Sequence, residues 1–221
     1  LGTRLRGVVD DVPKPLAPVL GRPFLFYLLD MLALRGARSV TLCSGYMADL
    51  VQHKVGREWL GMPIHHSVEN EPLGTAGALA QAKDFLKSER VLVINGDTWF
   101  EPDFNALVEA SLDSDFTIAA ARVPDASRYG TLQTHSSGHL ISFKEKSPSA
   151  APGLINAGVY LVSQNALTSI PSGRISLETE ILPRLAREGG VKVFESNSPF
   201  LDIGIPADFS AAGEFFNRLG S

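Results

Sequence analysis

Apolar positions in this chain repeat at helical spacing in some stretches and at strand spacing in others, and the alternation changes character near residue 113. Over residues 23–35, Phe24, Leu28, Met31 and Leu32 share one face, with Pro23 in the first turn and Gly36 as a stop, which predicts a helix. Residues 39–44 and 63–68 read as strands, separated by the turn at Gly45-Tyr46 and a helix over about residues 47–56. His65 and His66 are neighbours on the second strand and point to opposite faces, so both are read as structural. Leu73-Gly74-Thr75-Ala76-Gly77 turns into a helix over residues 75–85. Val91-Leu92-Val93-Ile94 is an unbroken apolar run that stops at Asn95-Gly96-Asp97, as a buried strand does. A further helix over residues 103–110 begins on an acidic cap. Strand and helix alternate up to this point, predicting a parallel sheet covered by helices.

Beyond residue 113 strands dominate: residues 115–123, 130–134, 140–144 and 156–162 follow closely, with Gly138 marking a hairpin turn. A helix follows from Ser176, offering Ser176 and Thr179 as caps and Leu177, Ile181, Leu182 and Leu185 as one face. Short strands are expected at 191–195 and 200–203, and Pro206 opens a terminal helix. There is no internal repeat or long linker. The natural division is a first half over residues 1–113 and a β-richer, substrate-facing half over residues 114–221.

Composition narrows the class. The 221 residues carry 20 Lys and Arg against 24 Asp and Glu, a net charge of −4, which argues against a general nucleic-acid binder but not against a small anionic substrate. The single cysteine, Cys43, excludes an intramolecular disulfide, suits a reducing cytoplasm, and is read as core filler because it lies in a strand pattern. No apolar run approaches the roughly 20 residues of a membrane span, and no signal peptide is visible.

An aspartate at the carboxyl end of a buried strand sits where open α/β sheets bind ligands, so Asp97 is read as holding a divalent metal on nucleotide phosphates, with the glycine turn against the base. Asp202, in Leu201-Asp202-Ile203-Gly204, ends another apolar strand and is the second carboxylate of the pair; two hard oxygen donors suit Mg²⁺. Both also have an ordinary reading as turn-forming residues. Arg4, Lys14 and Lys146 supply positive charge for a reaction at phosphorus. The prolines around Lys14 fix the backbone and favour a phosphate-facing role over a loose tail; Lys146 lies in a charge run whose default reading is a solvated face. The Gly74-Thr75-Ala76-Gly77 turn is not a P-loop, since no Gly-Lys-Ser or Gly-Lys-Thr follows, and no Ser-His-Asp arrangement or Cys/His metal spacing is present.

Seven segments in order, Leu1-Gly2-Thr3-Arg4-Leu5, Pro13-Lys14-Pro15-Leu16, Leu73-Gly74-Thr75-Ala76-Gly77-Ala78, Asn95-Gly96-Asp97, Glu145-Lys146, Asn156-Ala157-Gly158 and Asp202-Ile203-Gly204, resemble the sugar-nucleotidyltransferase family across essentially the whole chain. The resemblance implies a Rossmann-like α/β fold with a mixed, mainly parallel sheet flanked by helices, in a single nucleotidyltransferase domain. It implies transfer of a nucleotidyl group from an NTP to a sugar 1-phosphate, with Mg²⁺ and release of pyrophosphate. Arg4, Lys14 and Asp97 would be catalytic. Leu1, Gly2, Thr3, Glu69, Leu73, Gly74, Thr75 and Gly77 would bind the nucleotide, and residues 1–113 would be the nucleotide-binding half. Gly130, Glu145, Lys146, Asn156, Ala157 and Gly158 would bind the sugar phosphate, and Asp97 and Asp202 the metal. The attacking phosphate oxygen is already a nucleophile, so no protein base is required.

Further segments, Asp11-Val12-Pro13-Lys14-Pro15-Leu16-Ala17-Pro18-Val19, Gly21-Arg22-Pro23-Phe24, Gly45-Tyr46-Met47 and Ile155-Asn156-Ala157-Gly158-Val159-Tyr160, resemble the short bacterial members that make GDP-D-glycero-α-D-manno-heptose from GTP and the heptose 1-phosphate. That implies a role in capsule, S-layer or lipopolysaccharide supply. Mannose 1-phosphate guanylyltransferases and uridylyl- or thymidylyltransferases share the same motifs. A non-catalytic regulatory subunit of the family is the reading from another class; Arg4, Lys14, Asp97 and Asp202 together argue against it. A generic dinucleotide-binding protein is disfavoured because no Gly-x-Gly-x-x-Gly follows a first strand. Family members begin with an apolar strand and an Ala-Gly-Gly segment not found before Leu1, so about ten further residues are expected in the natural protein. A β-helix tail, and with it an acyltransferase activity, is not expected. A homodimer is a family expectation only.

Overall fold

The computed structural model describes residues 11–144, 151–204 and 206–220. The chain forms two compact units, one from Leu1–Pro72, Gly96–Trp99 and Leu201–Ser221, the other from Leu73–Asn95 and Phe100–Phe200. The sequence division near residue 113 falls inside the second unit.

In the first unit a short 3₁₀ turn at Lys14–Leu16 precedes strands β1 (Pro18–Val19) and β2 (Arg22–Pro23), helix α1 (Phe24–Leu34), β3 (Val40–Ser44), α2 (Ala48–Val55), β4 (Glu58–Trp59) and β5 (Met62–Val68). Helix α1 buries Phe24, Leu25, Leu28, Leu29 and Met31, a broader stripe than expected, while Leu32 is only half-buried. The parallel pairing predicted between the first two sequence strands is present: β3 runs parallel to β5, with Val40 opposite Ile64. The hairpins β1–β2 and β4–β5 were not legible in the sequence. Their turn residues, Leu20-Gly21 and Leu60-Gly61, are left-handed, with Leu20 at φ 50° and Leu60 at φ 49°, where an Asn-Gly signature is usual. His66 is held structurally, its Nε2 lying 2.6 Å from the Gly56 carbonyl oxygen. Cys43 is exposed, not core filler: the alternation on β3 places it on the less covered face.

The second unit is built on one sheet. Helix α3 (Gly74–Ala82), β6 (Arg90–Ile94), β7 (Thr98–Phe100), α4 (Phe104–Ala110), β8 (Phe116–Val123), β9 (Thr131–Thr134), β10 (Leu140–Lys144) and β11 (Gly153–Ser163) follow in the chain. Then come α5 (Gln164–Ser169), a π-helical turn at Leu177–Ile181, α6 (Leu182–Arg187) and β12 (Val191–Ser196); β13 (Phe200–Asp202) leads back to the first unit, to which α7 (Pro206–Leu219) belongs. Strand order is β10-β9-β11-β8-β12, with β6 also on β11. Strand β12 is parallel to β8, but β11 runs antiparallel to β6, β8 and β9. Among the described pairings the sheet is therefore mixed, and the expectation of a mainly parallel sheet gives way at β11. Antiparallel neighbours need no helical crossover, and among the described residues no helix lies between β8 and β11 in the chain.

Period-two alternation places the two faces of this sheet. Phe116, Ile118, Ala120, Leu154, Tyr160 and Val162 pack with α3, α5 and α6 residues, whereas Ala119, Ala121, Ile155, Ala157 and Val159 pack with Phe100 and Leu107. The parity holds across the Asn156–Val159 irregularity of β11 because the register shifts there. As the acidic start of its segment predicts, Asp103 caps α4, accepting from the Asn105 and Ala106 amides. Ser176 caps the π turn by accepting from the Thr179 amide at 3.2 Å, while Glu180 reaches back to the Ser176 amide at 2.8 Å. In the first unit, α7 returns Phe216 to stack on Tyr27 at 4.2 Å and to meet Phe24 and Trp99 edge-on.

Candidate functional site

Lys14, Asp97 and Asp202 lie far apart in sequence and meet in the first unit. Lys14 opens the 3₁₀ turn, fixed by the Leu16 amide on the Pro13 carbonyl and the Ala17 amide on the Lys14 carbonyl. Its Nζ stands 3.6 Å from Asp97 Oδ2, both side chains being partly exposed. Gly96 permits this approach: a Cβ there would come within 3.3 Å of Pro15 Cγ. The Asp97 carbonyl accepts from the Ile203 amide at 3.0 Å, which draws the end of β13 alongside. Asp202 Oδ1 then accepts from the Gly204 amide at 2.7 Å. Gly204 borders all three side chains, since a Cβ on it would lie 2.8 Å from Asp202 Oδ1, 3.0 Å from Lys14 Nζ and 3.5 Å from Asp97 Oδ2.

The electrostatics are those of two carboxylates with one ammonium. Burial, then the neighbouring charge of Asp97, pushes the Asp202 carboxyl above its usual range, against the pull of the Gly204 N–H and Lys14. Asp97 and Asp202 are thus the described carboxylates suited to a divalent cation. Glu69 also lies in this unit at the end of β5, its amide on the Ser44 carbonyl at 2.8 Å and its side chain beside Gly45.

A second cluster forms in the other unit around Gly74, Thr75 and Gly77. The turn before α3 lies against residues 173–178: Ile175 donates to the Leu73 carbonyl at 2.8 Å, and the Ala76 and Gly77 amides donate to the Ile175 carbonyl at 3.1 and 3.2 Å. Gly74, at φ 71°, would place a Cβ 2.6 Å from the Ile175 oxygen, and Gly77 would place one 2.0 Å from the Gly173 oxygen. Close backbone approach within the protein is a requirement of these glycines that their motif alone did not reveal. Gly158 is also left-handed, at φ 68°, and a Cβ there would strike the Asn95 side chain at 2.7 Å. It ends the bulge Asn156-Ala157-Gly158, in which the Gly158 amide donates to Asn156 Oδ1 at 3.0 Å and the Asn95 amide donates to the Gly158 carbonyl at 2.8 Å. Ala157 is buried, and Gly130 directly precedes β9. Leu1, Gly2, Thr3, Arg4, Glu145 and Lys146 lie outside the described residues.

Sequence reasoning missed Tyr160 and Glu178. Tyr160 hid in an apolar strand, and Glu178 in a segment read as an ordinary capped helix. Tyr160 is buried; its hydroxyl accepts from Asn156 Nδ2 at 2.8 Å and donates to Glu178 Oε1 at 3.2 Å. Burial, and then the charge of Glu178, pushes the Tyr160 phenol well above its ordinary value, so it stays protonated as a donor. Glu178 Oε2 accepts from Thr75 Oγ1 at 2.8 Å and from Ser176 Oγ at 3.2 Å.

Two carboxylates beside a lysine form one cluster and the glycine turn and polar bulge another, and similarity to known proteins gives the class. The nucleotidyl transferase family model matches residues 1–218, and the chain belongs to that family: it is a nucleotidyltransferase. Over 215 residues it is 37% identical to the D-glycero-alpha-D-manno-heptose 1-phosphate guanylyltransferase of Aneurinibacillus thermoaerophilus, covering 96% of this chain and 93% of that protein. The crystal structure of HddC from Yersinia pseudotuberculosis complexed with GMP-PN superposes with a TM-score of 0.89 at 37% identity, covering 98% of this chain and 95% of that one. The mannose-1-phosphate guanylyltransferase of Mycobacterium tuberculosis is 34% identical over 94% of this chain, which spans 60% of that protein. Among the described residues, no helix is long and apolar enough to cross a membrane.

Proposed function

We propose that this nucleotidyltransferase transfers GMP from GTP to D-glycero-α-D-manno-heptose 1-phosphate, giving GDP-heptose for cell-surface polysaccharide supply and releasing pyrophosphate. The observation that carries the reaction type is the convergence of Lys14, Asp97 and Asp202 around Gly204. Guanylyl transfer to this heptose is supported by the relative that matches nearly end to end at 37% identity.

In this reading an oxygen of the heptose 1-phosphate attacks the α-phosphorus of GTP in line. The bond from that phosphorus to the β-phosphate bridging oxygen breaks, and the electron pair leaves with pyrophosphate. Lys14 holds positive charge beside the triphosphate, assisted by Arg4, and Asp97 keeps the Lys14 ammonium in place. Asp97 and Asp202 fit Mg²⁺, because their mutual repulsion is relieved by a divalent cation. Phosphate oxygens of the substrates and water would complete the coordination of such an ion. When bound, magnesium supplies neutralisation of phosphate charge. Gly2, Thr3, Glu69, Leu73, Gly74 and Thr75 would contact the nucleotide, while Gly77, buried against the Gly173 carbonyl, holds the turn in place. Gly130, Glu145 and Asn156 would line the sugar pocket, with Lys146 on its phosphate, while Ala157 and Gly158, both buried, shape the bulge that presents Asn156.

Pyrophosphate release tests this directly. GTP, UTP, dTTP, CTP and ATP, each with Mg²⁺, are crossed with the heptose 1-phosphate, mannose 1-phosphate and glucose 1-phosphate. Turnover confined to GTP with heptose phosphate is expected. Turnover with GTP and mannose 1-phosphate would instead support the second reading, which the mycobacterial relative favours. Lys146→Ala is expected to raise KM for the sugar phosphate about 10–100-fold with KM for GTP unchanged. A rise in the GTP KM alone would mean the two pockets are assigned the wrong way round.

A further inference from the structure

Glu178 is a half-buried carboxylate held by three hydroxyl donors, Thr75, Ser176 and Tyr160, and it is presented by a π-helical turn in which the Leu182 amide donates to the Leu177 carbonyl. Such turns are uncommon and concentrate at functional sites. An ionised carboxylate only accepts hydrogen bonds. The Tyr160 hydroxyl must therefore spend its single proton on Glu178 and receive from Asn156 Nδ2. That fixes the Asn156 amide with nitrogen toward Tyr160 and oxygen toward the Gly158 amide. One N–H and one oxygen lone pair of Asn156 are left for a polyol ligand. On its other oxygen, Glu178 orders Thr75, whose hydroxyl also accepts from the Leu177 amide at 2.8 Å.

We propose that, within the guanylyltransferase reading on which this rests, Glu178 is the positioning residue that sets the direction of the Thr75–Glu178–Tyr160–Asn156 chain, and so holds the glycine turn and the sugar-recognising amide in register. Glutamine at this position has the same shape but adds two donors. If its amide donates to Tyr160, the tyrosine proton must turn to Asn156, whose flipped amide then faces the Gly158 N–H donor to donor. If its oxygen faces Tyr160 instead, its NH₂ faces Thr75, whose own proton loses its acceptor. Either arrangement breaks one link.

The test uses steady-state kinetics with GTP and D-glycero-α-D-manno-heptose 1-phosphate on the unaltered protein, Glu178→Gln, Tyr160→Phe and the double variant, with thermal melting alongside. Glu178→Gln is expected to raise KM for the heptose phosphate about tenfold while kcat falls less than threefold. Tyr160→Phe should do the same, and the double variant should be no worse than either single one, because both cut one chain. A lowered melting temperature with unchanged KM values would overturn the positioning role and leave Glu178 a structural residue. Fully additive effects would overturn the shared chain. Absence of turnover in the unaltered protein would instead overturn the guanylyltransferase reading, a failure distinct from the other two.

Discussion

Asp97→Asn is expected to lower kcat about 10²–10³-fold at saturating GTP and heptose phosphate, with the circular dichroism spectrum unchanged. Asparagine keeps the volume of the side chain and the 3.0 Å hydrogen bond from the Ile203 amide, which uses the backbone carbonyl. It removes the negative charge that lies 3.6 Å from Lys14 and, in the proposed reading, half of the protein's hold on Mg²⁺. A second readout follows from Asp202. Its carboxyl is raised first by burial and then by the Asp97 charge, so a neutral residue 97 should let it ionise more readily. The sign for stability is then clear. A carboxyl whose folded value lies above its unfolded one favours the fold at low pH and loses that contribution as pH rises through its folded value. The apo protein should therefore lose melting temperature over that rise, and Asp97→Asn should lose less. Mg²⁺ should raise the melting temperature of the unaltered protein at neutral pH and do little for the variant. Near-normal kcat in Asp97→Asn at saturating Mg²⁺ would refute the assigned role.

Gly77→Ala is expected to be the most destabilising single methyl addition in the second unit, by about 3 kcal/mol, or roughly 6–12 °C in melting temperature for a chain of this size. Its Cβ would fall 2.0 Å from the Gly173 carbonyl oxygen and 3.0 Å from Leu73 Cβ, so residues 173–176 must withdraw. Withdrawal lengthens the Ala76 and Gly77 amide bonds to the Ile175 carbonyl. It also pulls on Thr75 and Glu178, so KM for both substrates should rise even where the variant remains folded. Gly189→Ala is the matched control. Gly189 is left-handed at φ 71° with open space around it, so alanine there carries only backbone strain, about 1 kcal/mol. Equal denaturation midpoints for the two variants would mean that crowding against the 173–176 segment is not what the glycine prevents.

Much of the architecture was readable where a signal is local. The stop at Asn95-Gly96-Asp97 located the end of β6, Asp103 and Ser176 marked helix starts, and Gly138 marked the β9–β10 hairpin. The Lys14, Asp97 and Asp202 set was nameable because each sits beside prolines or at the end of an apolar strand, and the structure places the three side chains around Gly204. Other features carried no such mark. Helix α5, six residues at Gln164–Ser169, is too short to show a period. Leu20 and Leu60 occupy left-handed turn positions for which leucine gives no warning.

By itself the sequence determined the family, the order of most helices and strands, and which charged residues stand at strand ends, because these depend on neighbours a few positions apart. Only the tertiary structure decided that β11 runs against β8, that Gly77 is crowded by its own chain, and that Glu178 meets Thr75 across 103 positions and Tyr160 across 18. The physical reason is range. Propensity, capping and turn chemistry act over one or two turns of chain, whereas strand direction, close backbone approach and the polarity of a hydrogen-bond relay exist only once distant segments have packed.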